Sequence, residues 1–234
     1  MTQFSHEQIG EHETKFVLPN TRARGVIAWL TKRCQPDPQY ATGQVSSIYY
    51  DTRDWAYLDE KINSDYLKTK VRVRWYGDSR TGRLYPTSFL EVKSKIGSAR
   101  KKIRIRMEVD SHTMTQMVLH DPAWLHLPRL AEERGVFLKK PLLPTFQLNY
   151  QRFRFVDPLT GSRLCVDYNI HVSRINPVMI QRMNPVSLDD AVFELKGKGG
   201  HLPDWLHQLT SFGCRRGAFS KYSGCYAQLK RITF

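Results

Sequence analysis

The chain has 234 residues, with 36 Lys+Arg against 22 Asp+Glu, a formal net charge of +14, and 41% hydrophobic and 12% aromatic residues. This hydrophobic content is too high for a disordered chain, and no run approaches the ~20 apolar residues that a membrane helix needs. The opening MTQFSHEQIG has neither the basic nor the apolar stretch of a signal peptide. The charge points to polyanionic partners, and its placement along the chain has to decide which.

Four cysteines, Cys34, Cys165, Cys214 and Cys225, make no CxxC pair and join no Cys/His cluster with zinc-ligand spacing. They are expected as reduced thiols in a cytoplasmic protein. No Gly/Ser linker, low-complexity tract or fixed-period repeat divides the chain, so one domain over 1–234 is expected.

In chain order, the first predicted strand is 13–18. A helix at 21–33 follows Pro19-Asn20, with Asn20 or Thr21 as cap and Val26, Ile27, Trp29 and Leu30 as its apolar positions. The breaker cluster 34–43 (CQPDPQYATG) reads as a loop. Strands follow at 44–50, 67–76, 88–95 and 101–110, with turn signals at Gly82 and Gly97-Ser98. Asp121 before Pro122 announces a helix at 122–134. Strands 146–156 and 162–172 flank Asp157-Pro158-Leu159-Thr160-Gly161, a hairpin turn, and an eighth strand is 191–198. Helices are expected at 202–211, ending at Gly213, and at 221–230.

Residues two apart in a strand share a face. One face then collects Glu13 and Lys15; Lys70, Arg72 and Arg74; Glu91 and Lys93; Lys102, Arg104 and Arg106; Tyr150, Arg152 and Arg154; and Glu194, Lys196 and Lys198. The other face is apolar: Phe16; Val71, Val73 and Trp75; Leu90 and Val92; Ile103 and Ile105; Phe153 and Phe155; Phe193 and Leu195. An antiparallel sandwich with a solvated charged face accommodates this pattern. So does a closed barrel with the charged face in its lumen and helices covering the outside. In a lumen, so many cations repel one another and require an anion, while the few glutamates suit a divalent metal such as Mg²⁺ or Mn²⁺. Nucleic acid is not expected as partner, because the basic residues sit in strand doublets with no basic helix, RNP motif or KH loop.

Taken together, Glu13-x-Lys15, Lys70-Val71-Arg72-Val73-Arg74-Trp75-Tyr76-Gly77, Phe89-Leu90-Glu91-Val92-Lys93, Lys102-x-Arg104, Tyr150-x-Arg152, Arg163-x-x-x-Asp167, Phe193-Glu194-Leu195-Lys196 and Phe219-Ser220-Lys221-Tyr222 resemble the VTC domain. That is the polyphosphate polymerase domain of the triphosphate tunnel metalloenzymes, the superfamily that also holds the CYTH-type phosphatases. The stretch Ile48-Tyr49-Tyr50-Asp51-Thr52, followed by Tyr57 and Lys61, is similar to a further family segment. The resemblance implies an α+β fold: an eight-stranded antiparallel tunnel barrel with helices outside. It implies ATP and inorganic polyphosphate or triphosphate as partners, with Mn²⁺ or Mg²⁺ as cofactor. It implies Arg72, Arg74, Lys93, Arg152, Arg163 and Lys221 as catalytic residues, and Lys15, Lys102, Arg104, Tyr150, Ser220 and Lys196 as substrate-binding residues. Glu194, assisted by Glu91 and Glu13, is the implied metal ligand set. A triphosphatase, or a polyphosphate-binding module without catalysis, fits the same residues. A membrane partner that receives the polymer is compatible with the family, although no segment of this chain is expected to insert. Ala218 stands where some family members have Lys.

Overall fold

The computed structural model describes residues 11–181, 186–198 and 202–231; the opening segment read above lies outside them. In chain order the strands are β1 (Glu11–Pro19), β2 (Gln35–Pro36), β3 (Thr42–Asp51), β4 (Leu67–Gly77), β5 (Leu84–Ile96), β6 (Ala99–Met107), β7 (Leu143–Val156), β8 (Arg163–Ile175), β9 (Val186–Ser187), β10 (Asp190–Lys198) and β11 (Arg215–Arg216). The helices are α1 (Ala23–Thr31), α2 (Ala56–Ile62), α3 (Ser111–Gln116), α4 (Arg129–Glu132) and α5 (Lys221–Lys230). The eight long strands stand where strands were expected, six of them with the charged and apolar faces of the alternation. The Asp157–Gly161 turn closes its hairpin as expected: Asp157 N donates to Ser162 O, Gly161 N donates to Asp157 O, and Gly161 takes φ +65°.

All ladders are antiparallel, in the order β11-β1-β10-β8-β7-β3-β4-β5-β6, with β2 on β7 and β9 on β8. The fold is α+β, but the sheet is not closed into a barrel: among the described residues no ladder joins β6 to β11 or β1. Both edges carry cations, Lys102, Arg104 and Arg106 on β6 and Lys15 and Arg215 on β1 and β11. Pairing them would set like charges opposite one another, which is destabilising. The sheet curls instead. Lys70 on β4 reaches Ser220 Oγ at 3.5 Å and lies close enough to Lys15 on β1 for their charges to interact, as does Lys93 on β5 with Lys196 on β10. These strands stand five apart in the sheet order, so the charged face is concave and tunnel-like.

The apolar face packs outward. Val71, Val73, Trp75, Leu90, Val92 and Ile105 bury against Met114 of α3, against Trp124 in the 3-10 turn Pro122–Leu125, and against Ala131 of α4. Phe155, Phe193, Leu195 and Leu18 bury against Val26, Ile27 and Leu30 of α1. Several expectations need correction. The helix expected at 122–134 is a 3-10 turn at Pro122–Leu125 followed by α4, the one expected at 202–211 is a 3-10 helix at Asp204–Phe212, and the expected loop 34–43 contains β2. Neither Asn20 nor Thr21 caps α1; Asn20 instead donates to Asn169 Oδ1 (3.0 Å) and accepts from Asn169 N (2.8 Å), pinning β1 to β8. Nor do all helices pack outside. Tyr222 of α5 stacks on Tyr49 (4.6 Å) and Phe146 (5.1 Å), and α5 seats against Val45, Leu148, Tyr150 and Val192, the apolar end of the concave face. Burying Tyr222, Cys225 and Leu229 there is what holds the last helix inside the curl.

Candidate functional site

Two carboxylate-centred clusters organise the concave face. In the first, Glu91 on β5 is 2% exposed and stands in register between Arg72 on β4 and Arg104 on β6. Arg72 donates to Glu91 Oε2 through Nε (2.9 Å) and Nη2 (2.6 Å), and through Nη1 to Tyr49 Oη (3.1 Å). Arg74 Nη1 lies 3.9 Å from the same carboxylate and its Nε donates to Ser47 Oγ at 2.9 Å. Lys102 (3.6 Å) and Arg104 (3.5 Å) approach the other oxygen, with the Arg104 guanidinium 3.7 Å from the Phe89 ring centroid. Burial pushes the Glu91 carboxyl up, but Arg72, Arg74 and Lys102 together hold it well below the usual carboxylate range.

In the second cluster, Arg152 on β7 makes a two-pronged pair with Asp167 on β8, donating from Nε to Oδ1 and from Nη2 to Oδ2. Lys221, the first residue of α5, reaches Asp167 Oδ2 at 2.6 Å and Glu194 Oε1 at 3.6 Å. Glu194 on β10 also faces Lys15 (3.5 Å) and Arg152 (3.8 Å), and Lys15 reaches back to Glu13 at 3.2 Å. Tyr150 lies beneath, its ring centroid 5.4 Å from the Arg152 guanidinium and 5.0 Å from Lys221 Nζ. Burial raises the Glu194 carboxyl, and Lys221, Arg152 and Lys15 bring it well below its ordinary value.

Between the clusters stand lysines with no ion-pair partner among the described residues. Lys93 is open to solvent yet walled in, and burial together with the Arg72 charge lowers its ammonium pKa strongly. Burial takes Lys70 down to about 8. Lys196 is half-buried opposite Glu13 and Arg163 in register. Arg106 shares a row with Phe89. The side chain of Lys198 lies outside the described residues. Arg215 pairs with Val17, a concave-side residue, whereas Arg216 pairs with Phe16 on the other side; Ala218 is exposed.

The structure thus brings Lys15, Arg152, Lys221, Glu194 and Glu13 together, and separately Arg72, Arg74, Lys102, Arg104 and Glu91. Ser220 caps α5, its Oγ accepting from Ser223 N at 3.4 Å, which presents the helix start to the concave face. Among the three expected metal ligands, only Glu194 joins a group with metal-binding geometry: Cys165, Asp167 and Glu194 place ligand atoms within 4.8 Å of one another. Two carboxylates suit a hard divalent cation. The thiol suits it less, being a soft ligand; burial raises Cys165 to about 12, and its Sγ donates to Glu194 Oε2 at 3.6 Å. Asp167 and Glu194 therefore fit Mg²⁺ or Mn²⁺. Glu91 belongs to the other cluster, saturated by four cations.

Sequence reasoning assigned no role to Asp167, although it lies two residues from Cys165 and pairs in register with Arg152. It also missed Tyr49 and Asp51. Asp51 accepts from Thr52 N (2.9 Å), Tyr57 N (2.8 Å), Leu58 N (3.0 Å) and Tyr222 Oη (3.0 Å), tying β3, α2 and α5 together. Burial raises its carboxyl to about 6.

No curated protein sequence matches the chain. A structure named "putative adenylate cyclase" from Bacillus halodurans is 12% identical, with TM-score 0.50, covering 91% of this chain and 96% of its own. A like-named Vibrio parahaemolyticus protein is 11% identical with TM-score 0.44, covering 95% and 98%. A conserved hypothetical protein from Pyrococcus furiosus is 9% identical with TM-score 0.38, covering 95% and 91%. At such identity the first likeness speaks for the fold alone. The VTC domain model matches residues 10–230, nearly the whole length. The chain belongs to the VTC domain family.

Proposed function

We propose that residues 1–234 act as one unit, a metal-dependent polyphosphate polymerase that transfers the γ-phosphate of ATP to a growing inorganic polyphosphate chain and releases ADP. The observation that carries this reading is the excess of cations converging from opposite walls of the concave face, in a VTC domain chain. Such a face is a receptor for a phosphate chain.

Phosphoryl transfer asks a protein for positioning and charge neutralisation rather than covalent chemistry. Arg72 is oriented by Glu91 and Tyr49, and Arg152 by Asp167, so both guanidiniums are set before a ligand arrives. They clamp non-bridging oxygens of the triphosphate, Arg74 and Arg163 extend the clamp, and Lys93, Lys102, Arg104 and Lys196 neutralise charge. Lys15 and Lys221, with Ser220 at the start of α5, hold the opposite end of the phosphate chain. Asp167 and Glu194 would hold a divalent cation, which when bound would supply further charge neutralisation. A terminal oxygen of orthophosphate or polyphosphate, already anionic near pH 7, attacks the γ-phosphorus. The bond from that phosphorus to the β–γ bridging oxygen breaks, and its electron pair leaves with ADP. No general base is needed.

Purified protein incubated with ATP and Mn²⁺ and followed by phosphorus NMR tests this. Long polyphosphate plus ADP, abolished in Glu194→Ala and in Arg72→Ala/Arg74→Ala, is the expected result. Orthophosphate as sole product would replace the polymerase with a triphosphatase of the same site. Tight polyphosphate binding without turnover would leave a binding module.

A further inference from the structure

On the concave side, β4, β5 and β6 set their residues in rows fixed by register. Arg74, Phe89 and Arg106 form one row and Arg72, Glu91 and Arg104 the next. Lys70, Lys93 and Lys102 follow, and the last row is Lys68, Lys95 and Arg100. Successive rows lie two residues apart, about 7 Å. Like charges directly opposite each other destabilise an antiparallel pair. Glu91 relieves that in its own row. The last row sets three cations side by side with no acid, and among the described residues Lys68, Lys95 and Arg100 form no ion pair. Lys61 on α2 faces the same place, half-buried and repelled by Lys68, Lys15 and Lys95, and Lys15 belongs to the opposite wall. A triphosphate held between Arg72 and Arg152 does not extend to this row, two rows out from Arg72.

We propose that Lys68, Lys95 and Arg100, with Lys61, form an outer subsite that holds the part of an inorganic polyphosphate chain longer than a triphosphate, giving the protein a preference for long chains. The inference rests on the phosphate-chain reading of the concave face. Each row adds donors in line with the inner ones, so a linear polyanion gains contacts by following the strands outward. The uncompensated repulsion in the empty row is relieved only when that polyanion is present. Inorganic polyphosphate fits better than nucleic acid because the four rows offer charge with a single ring, Phe89, which lies under Arg104. Tyr66, 73% exposed beside the last row, is the one ring there on which a base could stack, and the oligonucleotide arm of the test reads its effect.

The test measures calorimetric binding of inorganic triphosphate, long-chain polyphosphate and a single-stranded oligonucleotide to the full chain and to Lys68→Gln/Lys95→Gln/Arg100→Gln. The wild-type chain is expected to bind long polyphosphate more tightly than triphosphate. The variant is expected to lose about tenfold in long-chain affinity, with a shallower salt dependence. Its triphosphate affinity should stay within about twofold, since the lost charges sit at the rim and are screened. Thermal melting of the unliganded variant at or above the wild-type temperature shows that folding is intact. An unchanged long-chain affinity overturns the inference, as does an equal loss for both phosphates or an oligonucleotide bound as tightly as polyphosphate. A wild-type chain that binds neither phosphate overturns the underlying reading.

Discussion

Glu91→Gln separates a carboxylate that organises arginines from one that holds metal. The Glu91 side chain is 2% exposed, and the Arg72 side chain that donates twice to it is 13% exposed. Arg74 is 7% exposed but 3.9 Å away, while Lys102 and Arg104 are 43% and 34% exposed and contribute little through screened contacts. The loss is therefore dominated by one buried pair whose arginine is left uncompensated. That costs about 3–5 kcal/mol. For a chain of this length the melting temperature falls by about 2–4 °C per kcal/mol, hence roughly 6–20 °C. Adding triphosphate should restore more stability to the variant than to the wild-type chain, since the anion replaces the lost charge. Urea denaturation with and without triphosphate measures both effects, and a Mn²⁺ titration of activity or binding measures the third. A loss below about 1 kcal/mol, an equal triphosphate effect in both proteins, or a shifted Mn²⁺ midpoint refutes the argument.

Titration of the concave face sets its pH response. Burial lowers Lys70 to about 8, and although burial raises Tyr49, Arg72, Arg74 and Lys70 bring it down to about 8 as well. As pH rises through 8 one positive charge is lost and one negative charge gained, so triphosphate affinity falls between pH 7 and 9; Lys70→Arg with Tyr49→Phe flattens that profile in calorimetry. Cys165→Ala leaves Mn²⁺ affinity within about twofold while Glu194→Gln weakens it by tenfold or more, read by titration of the metal alone, because the thiol is a soft ligand and the carboxylate is not. Tyr222→Phe removes the hydroxyl that donates to buried Asp51 and costs about 1–3 kcal/mol in urea denaturation. The same change weakens triphosphate binding, since α5 carries Lys221; stability lost with binding intact contradicts that link.

The strands were legible because burial on one face and charge on the other impose a period of two on six of the eight long strands, and turn signals bounded the other two. The two missing helices failed for definable reasons. α2 has no cap next to its start: Trp55 precedes it at φ +63°, and the first free N–H groups are satisfied by Thr52 and Asp51, four and five residues before the helix begins. α3 does have a local cap, Asp110, whose side chain accepts from Thr113 N at 2.9 Å, but the residue reads equally well as the end of a strand. Whether the edges meet was not legible at all, because closure depends on which cations would face each other across the last ladder.

Counting partners rather than charges explains how the concave face can be both stable and receptive. Arg72 and Arg152 are the most tightly held cations, each fixed by two N–H groups on a buried carboxylate. A guanidinium so fixed keeps outward-facing donors in place and loses little rotamer freedom when an anion arrives. The lysines between them have the reverse design. Lys70 and Lys93 carry no carboxylate partner among the described residues, and their lowered pKa values record the cost of keeping them charged there. That cost is refunded on binding, so a phosphate chain should raise both pKa values and take up protons. Proton uptake at pH 8, measured by calorimetry in buffers of different ionisation enthalpy, follows directly. Binding with no proton uptake at that pH would mean that Lys70 stays charged in the empty face, and the division between fixed arginines and responsive lysines would fail.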